Sequence, residues 1–199
     1  MGCTTSTSSP INFSGGSIRK KSATKNGTQT PVRIRISNDN LLTENEKRLI
    51  KETWAVLKNI ETDTLGKKIF LHIFDKHPEV KSYFSFRDVP MDKLVYDKNF
   101  SAHAFRFVQI IDSHVNNLDD LRNQVVPILR NLGRFHVRNG EWFSASNFSL
   151  FMESILLTWE EELGDRFTAE TKEAWAMLLD FLVQGMTEGF NMERKRSDE

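Results

Sequence analysis

The sequence predicts an all-α fold on three observations. From Leu41 onward Gly and Pro become sparse, aromatic and aliphatic residues recur three and four apart as on one helix face, and no alternating strand pattern survives. Thr43 followed by Glu46 is a capping-box signature, with Leu49, Ile50, Thr53, Trp54 and Leu57 as the stripe behind it, so a first helix is expected over about 43–59. A second is expected over about 63–77, ending where Pro78 removes a donor and begins a short turn toward Tyr83 and Phe84. A third segment, about 92–116, sets Phe100, His103, Ala104, Phe107, Ile110, Ile111 and His114 at intervals of three, four and seven. A fourth, about 119–138, sets Val125, Leu129, Leu132 and His136 on a similar stripe, with Pro127 either opening a new helix or kinking this one. Two longer helices, about 146–163 and 168–190, are separated by Gly164 and Asp165, with Thr168 as the second one's N-cap.

Composition excludes several classes. With one Cys among 199 residues, neither an internal disulfide nor a thiolate zinc site can form, which points to a reducing compartment. No stretch approaches the roughly 18 consecutive apolar residues of a spanning helix, and no secretory apolar core opens the chain. The balanced total of 27 basic and 27 acidic residues hides an asymmetry. Residues 1–40 hold Arg19, Lys20, Lys21, Lys25, Arg33 and Arg35 against Asp39 alone, so this segment carries +5 and the body −5. Twelve of the first thirty residues are Ser or Thr, too little apolar surface to offset ordering entropy, so residues 1–40 are expected to form a disordered arm. The domain proper is expected over residues 41–192, with residues 193–199 as a solvated, flexible tail. Nucleic-acid binding is not expected, because the basic arm lacks interleaved aromatics and the body is acidic.

A His on an apolar face is ordinarily a core residue with a satisfied hydrogen bond, and His72, His77 and His114 are read so. His72 and His77 are five apart and do not form an i, i+4 metal pair. His103 and His136 differ in projecting from separate helices amid Phe and Leu side chains, a dry wall suited to a flat aromatic cofactor. Two neutral imidazoles can bind one iron from opposite sides.

At these residues the body resembles the globin family. The run GKKIFLHIFDKHPEVKSYFSF, residues 66–86, is similar to the second globin helix and its corner, with Pro78 in the turn and Phe84 as the corner Phe against haem. HAFRFV, residues 103–108, resembles the distal helix of neuroglobin-like and cytoglobin-like members; LGRFHVRNG, residues 132–140, resembles their proximal helix; and residues 163–190 resemble their final helix. The resemblance covers roughly residues 41–190 and implies a helical sandwich around a haem b pocket. It implies His136 as proximal ligand, His103 as distal ligand and Arg106 as the basic residue near the haem propionates. By the same resemblance Phe70 and Phe107 wall the distal pocket, and Leu132, Phe143, Phe148 and Leu182 contact haem on the proximal side and floor. Two departures stand out. Residues 137–147 are about two longer than in neuroglobin-like members, and Phe107 replaces a smaller aliphatic residue, which narrows the space above the iron.

With Phe70 offering no hydroxyl, only His103 among these pocket residues could donate a hydrogen bond to bound dioxygen, and if it binds iron a gas must displace it. The expectation is a six-coordinate redox globin acting in electron transfer or redox and gas signalling, with O2, NO or CO as ligand and an unidentified electron donor. A reversible oxygen carrier or sensor, and a haem-free helical interaction module, are the alternatives. Any enzymatic activity would be haem redox chemistry toward oxygen or nitrogen oxides, and no catalytic residue is assigned. The arm adds a location. Met1, Gly2 and Ser6 fit the M-G-x-x-x-[ST] pattern for myristoylation of Gly2, and Cys3 stands where a palmitoyl group follows. One myristoyl chain binds a bilayer with a constant of only about 10⁴ M⁻¹, so a second chain is needed to hold an inner-leaflet lipid surface, and the basic cluster at Arg19, Lys20, Lys21 and Lys25 can add to it. Acylated globins such as globin X and some nematode globins resemble this combination. The expected location is the cytoplasmic face of the plasma membrane, with the cytosol as the alternative.

Overall fold

The computed structural model of the chain describes residues 41–138 and 145–198. Among them there is no strand, and no helix is long and apolar enough to cross a membrane. The seven α-helices are α1 (Glu44–Leu57), α2 (Thr62–Lys76), α3 (Met91–Leu94), α4 (Lys98–Asn116), α5 (Val126–Arg138), α6 (Ala145–Leu163) and α7 (Ala169–Ser197).

Local chemistry sets the helix ends. The capping box forms: the Glu46 amide donates to Thr43 Oγ1 and the Thr43 amide donates to the Glu46 carboxylate. Thr168 caps α7 by accepting from the Thr171 amide. Pro78 opens a 3₁₀ turn over Pro78–Tyr83 that delivers Phe84 to the interior.

Three spans differ from the periodicity. The segment expected over 92–116 is two helices, because the Asp97 side chain accepts from the Phe100 amide at 2.9 Å and starts α4 afresh. The segment expected over 119–138 begins as a wide π turn, Leu121–Val125, so of the two roles open to Pro127 it takes the first, standing in the opening turn of α5. The last helix runs through Ser197, so residues 193–197 are not a tail but continue α7, with Glu193 buried.

Packing follows from small residues at two crossings. Helix α2 lies against α4 and α6, and α5 against α7. At the first crossing a methyl on Gly66 would overlap the Ala104 carbonyl, so only Gly allows that approach. At the second, a methyl on Gly133 would strike the Met186 carbonyl and one on Gly189 the Arg130 carbonyl, so paired glycines bring the α5 and α7 backbones together. Away from these crossings Trp54, Trp159 and Trp175 form a buried trio with ring centroids 5.5–6.0 Å apart, joining α1, α6 and α7.

Candidate functional site

The α2–α4 crossing fixes one wall. His103 precedes Ala104, the residue that meets Gly66, so the crossing turns its ring toward the aromatics of α2 and the following turn. The imidazole lies edge-on to Phe70 and to Phe84, each at 5.1 Å between centroids. Phe84 stacks on Phe86 at 5.0 Å and 12°, and Phe86 is itself 6.3 Å from His103. Phe70 is fully buried and also meets Phe107 at 5.2 Å and Phe151 at 5.6 Å. His103 thus stands in a wall of Phe rings.

The α5–α7 crossing fixes the other wall. His136 follows Gly133 by one turn, and its Nδ1 lies 2.8 Å from the Leu132 carbonyl oxygen. A carbonyl only accepts, so Nδ1 carries the proton and Nε2 keeps its lone pair. Phe148 from α6 meets the His136 ring edge-on at 5.5 Å and is backed by Phe190 of α7.

Electrostatics keeps both imidazoles neutral. Burial pushes His103 down to about 4, aided by the charge of Arg106 and then that of His136. Burial also lowers His136, opposed by its bond to the Leu132 carbonyl.

The expected residues are distributed as follows. Phe70, Phe84, Phe107 and His103 come together on one wall, and His136, Leu132 and Phe148 on the other. Arg106 is solvent-exposed on α4, near enough to act on His103. Leu182 is buried in the main core on α7. Phe143, Gly2 and Cys3 lie outside the described residues. Periodicity passed over Phe86 and Phe151. Phe86 stands two after Phe84 in Tyr-Phe-Ser-Phe, and Phe151 one helical turn after Phe148; both spacings were available as signals. The other histidines depart in part from the satisfied core reading. His72 Nδ1 pairs with Thr158 Oγ1 at 3.0 Å, and His77 is half-buried at a helix end. His114 is fully buried, yet neither ring nitrogen reaches hydrogen-bond geometry; the Ile110 carbonyl is close enough to oppose, without cancelling, the burial that pushes it down to about 4.

Among the described residues no cluster of three or more His, Cys, Asp or Glu can hold a bare metal ion. Two neutral imidazoles backed by aromatic walls are instead the donor set for a metal whose other ligands come from a planar macrocycle, so the residues fit haem.

The globin family's sequence profile matches residues 67–186. The chain belongs to the globin family. Among relatives, the globin is 28% identical over 153 residues to the globin-related protein glb-13 of Caenorhabditis elegans, covering 76% of this chain and 54% of that one, so it spans about half that relative's length. It is 29% identical over 153 residues to neuroglobin of Danio rerio, covering 75% of this chain and 92% of that one. A crystal structure of a hexacoordinated haem protein from an anhydrobiotic tardigrade matches with a TM-score of 0.70 at 22% identity, over 75% of this chain and 96% of that one, and so shares the fold. Family membership supports a haem cofactor and small gaseous ligands such as dioxygen.

Proposed function

We propose that this globin is a bis-histidyl, six-coordinate haem protein anchored to a membrane, working in electron transfer or redox and gas signalling. The carrying observation is the pair of neutral imidazoles, His136 with its tautomer set by the Leu132 carbonyl and His103 pushed down to about 4 among Phe rings. When bound, haem supplies a one-electron iron centre and a coordination position for a diatomic gas. The residues do the rest. His136 presents Nε2, oriented by its bond to Leu132. His103 presents a lone pair that no proton occupies at neutral pH, and its ring must swing aside before a gas takes its place. With about one molecule in a hundred open, apparent gas affinity is about a hundredfold below that of the open site. Phe70, Phe107 and Phe151 keep water from the space the ring vacates, and Arg106 at the exposed rim offers charge to the haem propionates. An unchanged pair of ligands in both iron oxidation states favours electron exchange over storage.

The anchor is proposed from the sequence at Gly2 and Cys3, with a myristoyl and a palmitoyl chain directing the protein to the cytoplasmic face of the plasma membrane. The two halves of the reading separate experimentally. Replacing His103 (His103→Leu) is expected to raise carbon monoxide affinity about a hundredfold by removing the competing ligand; an unchanged affinity contradicts ligation by His103. Cell fractionation of Gly2→Ala is expected to move the protein to the soluble fraction, and unchanged membrane association contradicts the acyl anchor.

A further inference from the structure

The corner that carries Phe84 and Phe86 is fastened to one residue. Lys81 lies in the 3₁₀ turn Pro78–Tyr83, and its carbonyl accepts from the Phe84 amide at 3.1 Å. Its side chain reaches forward to the loop that follows, where Nζ donates to the Val89 carbonyl at 2.6 Å and to the Arg87 carbonyl. Within the loop the Arg87 amide donates to the Phe84 carbonyl at 3.0 Å and the Val89 amide to the Phe86 carbonyl at 3.1 Å. Residues 84–90 belong to no helix, so these bonds and side-chain packing hold their shape. Both ends of the loop are tied to Lys81. Hydrogen bonds from a charged donor are roughly twice as strong as neutral ones, which makes the ammonium the strong tie among them.

What the loop carries is one wall of the site. Phe84 and Phe86 stack at 5.0 Å; Phe84 meets the His103 ring edge-on at 5.1 Å, and Phe86 lies 6.3 Å from it. Phe70, also 5.1 Å from His103, is held differently, because it stands within α2. The imidazole is therefore set by a helix on one side and by a loop pinned through a lysine on the other.

We infer that Lys81 is a positioning residue for His103: by pinning the Arg87 and Val89 carbonyls it keeps Phe84 and Phe86 against the imidazole and so holds the ring ready for iron. The inference rests on the bis-histidyl reading and names a residue that sets how often His103 lets go. A ring already held in one orientation gives up little conformational freedom on binding a metal, whereas a ring in a loose wall gives up more. Releasing the loop therefore lowers the population in which His103 is bound. Nζ is spent on backbone carbonyls, so its action runs through the two rings and not through contact with a ligand.

The test uses the full-length, haem-loaded protein with Lys81→Met, which keeps the apolar stem and removes the donors, beside Lys81→Arg, which keeps charge and donors. Hydrogen exchange at the Arg87 and Val89 amides is expected to be about tenfold faster in Lys81→Met. In the ferrous carbonyl form, where the gas occupies the iron, the His103 ring-proton resonances are expected to shift as Phe84 and Phe86 move off the ring. With open molecules rising from about one in a hundred to about one in ten, carbon monoxide affinity is expected to rise about tenfold. Lys81→Arg is expected to stay within about twofold of the unsubstituted protein in affinity and exchange, and to restore the resonances. Lys93→Met, which removes an exposed charge from α3, is expected to leave all three readouts unchanged. Lys81→Gln, shorter and uncharged, is expected to act in the same direction as Lys81→Met and replaces it if that variant unfolds at a lower temperature. His103 resonances unmoved in both variants overturn the inference. So does an unaltered carbon monoxide affinity when the unsubstituted ferrous protein is six-coordinate. A five-coordinate unsubstituted protein contradicts ligation by His103 instead, and the resonances still decide whether Lys81 positions the ring.

Discussion

The tryptophan trio and the aromatic slot around His103 are both clusters of large rings at centroid separations of 5–6 Å, yet they differ in what happens to their polar atoms. In the trio the fold consumes most of them. Trp175 Nε1 donates to Thr53 Oγ1 at 3.0 Å and Trp54 Nε1 donates to Asp112 at 2.8 Å, while Trp159 Nε1 alone has no partner. In the slot, Phe rings surround an imidazole that burial holds neutral, and His136 gives its Nδ1 proton to the Leu132 carbonyl, which sets its tautomer. An aromatic cluster whose donors are bonded internally stabilises a structure; one that holds neutral imidazoles in a dry wall is equipped to bind a metal.

This contrast is sharpest in paired substitutions. Trp175→Ala is expected to cost about 3–5 kcal/mol of folding stability by leaving a cavity and removing the donor to Thr53 Oγ1, which keeps its own bond to the Leu49 carbonyl, measured by denaturant unfolding. His136→Ala is expected to lower haem affinity at least about a hundredfold in haem titration while the haem-free chain unfolds within about 1 kcal/mol of the unsubstituted one. A Trp175 variant of normal stability, or a His136 variant that retains haem, breaks the distinction.

A smaller effect comes from His114, a buried imidazole that belongs to neither region. Its pKa is about 4 in the folded chain against 6.5 as the reference for the unfolded one. The unfolded state therefore takes up a proton that the folded state refuses, so its contribution is fully present above pH 6.5 and is lost as pH falls toward 4, up to about 3 kcal/mol. Unfolding of His114→Leu across pH 4–7 is expected to show a shallower slope than the unsubstituted chain. An identical slope places the proton uptake elsewhere.

Much of this was legible in the sequence because it depends on short-range spacing. The Thr43–Glu46 box, the Thr168 cap and the stripes that carry His103 and His136 need only neighbouring residues to specify them, and all three form. What escaped was set by tertiary contact or by subtle breaks. The interval before α4 contains no Gly or Pro, so the fresh start at Asp97 was hidden inside a continuing apolar stripe. The polar end of α7 reads as a tail until packing buries Glu193. The spacings from Phe84 and Phe148 flag Phe86 and Phe151 as candidates, but their shared position against the site depends on where the 3₁₀ turn and α6 meet α2. Likewise the unpartnered nitrogens of His114 follow from the burial of that part of α4 and not from its spacing.

The central claim is that His103 and His136 together grip one haem iron. The optical spectrum of the deoxygenated ferrous protein tests it most directly. A six-coordinate, low-spin spectrum that becomes five-coordinate in His103→Leu is the predicted result; a five-coordinate, high-spin spectrum from the unsubstituted protein would contradict it.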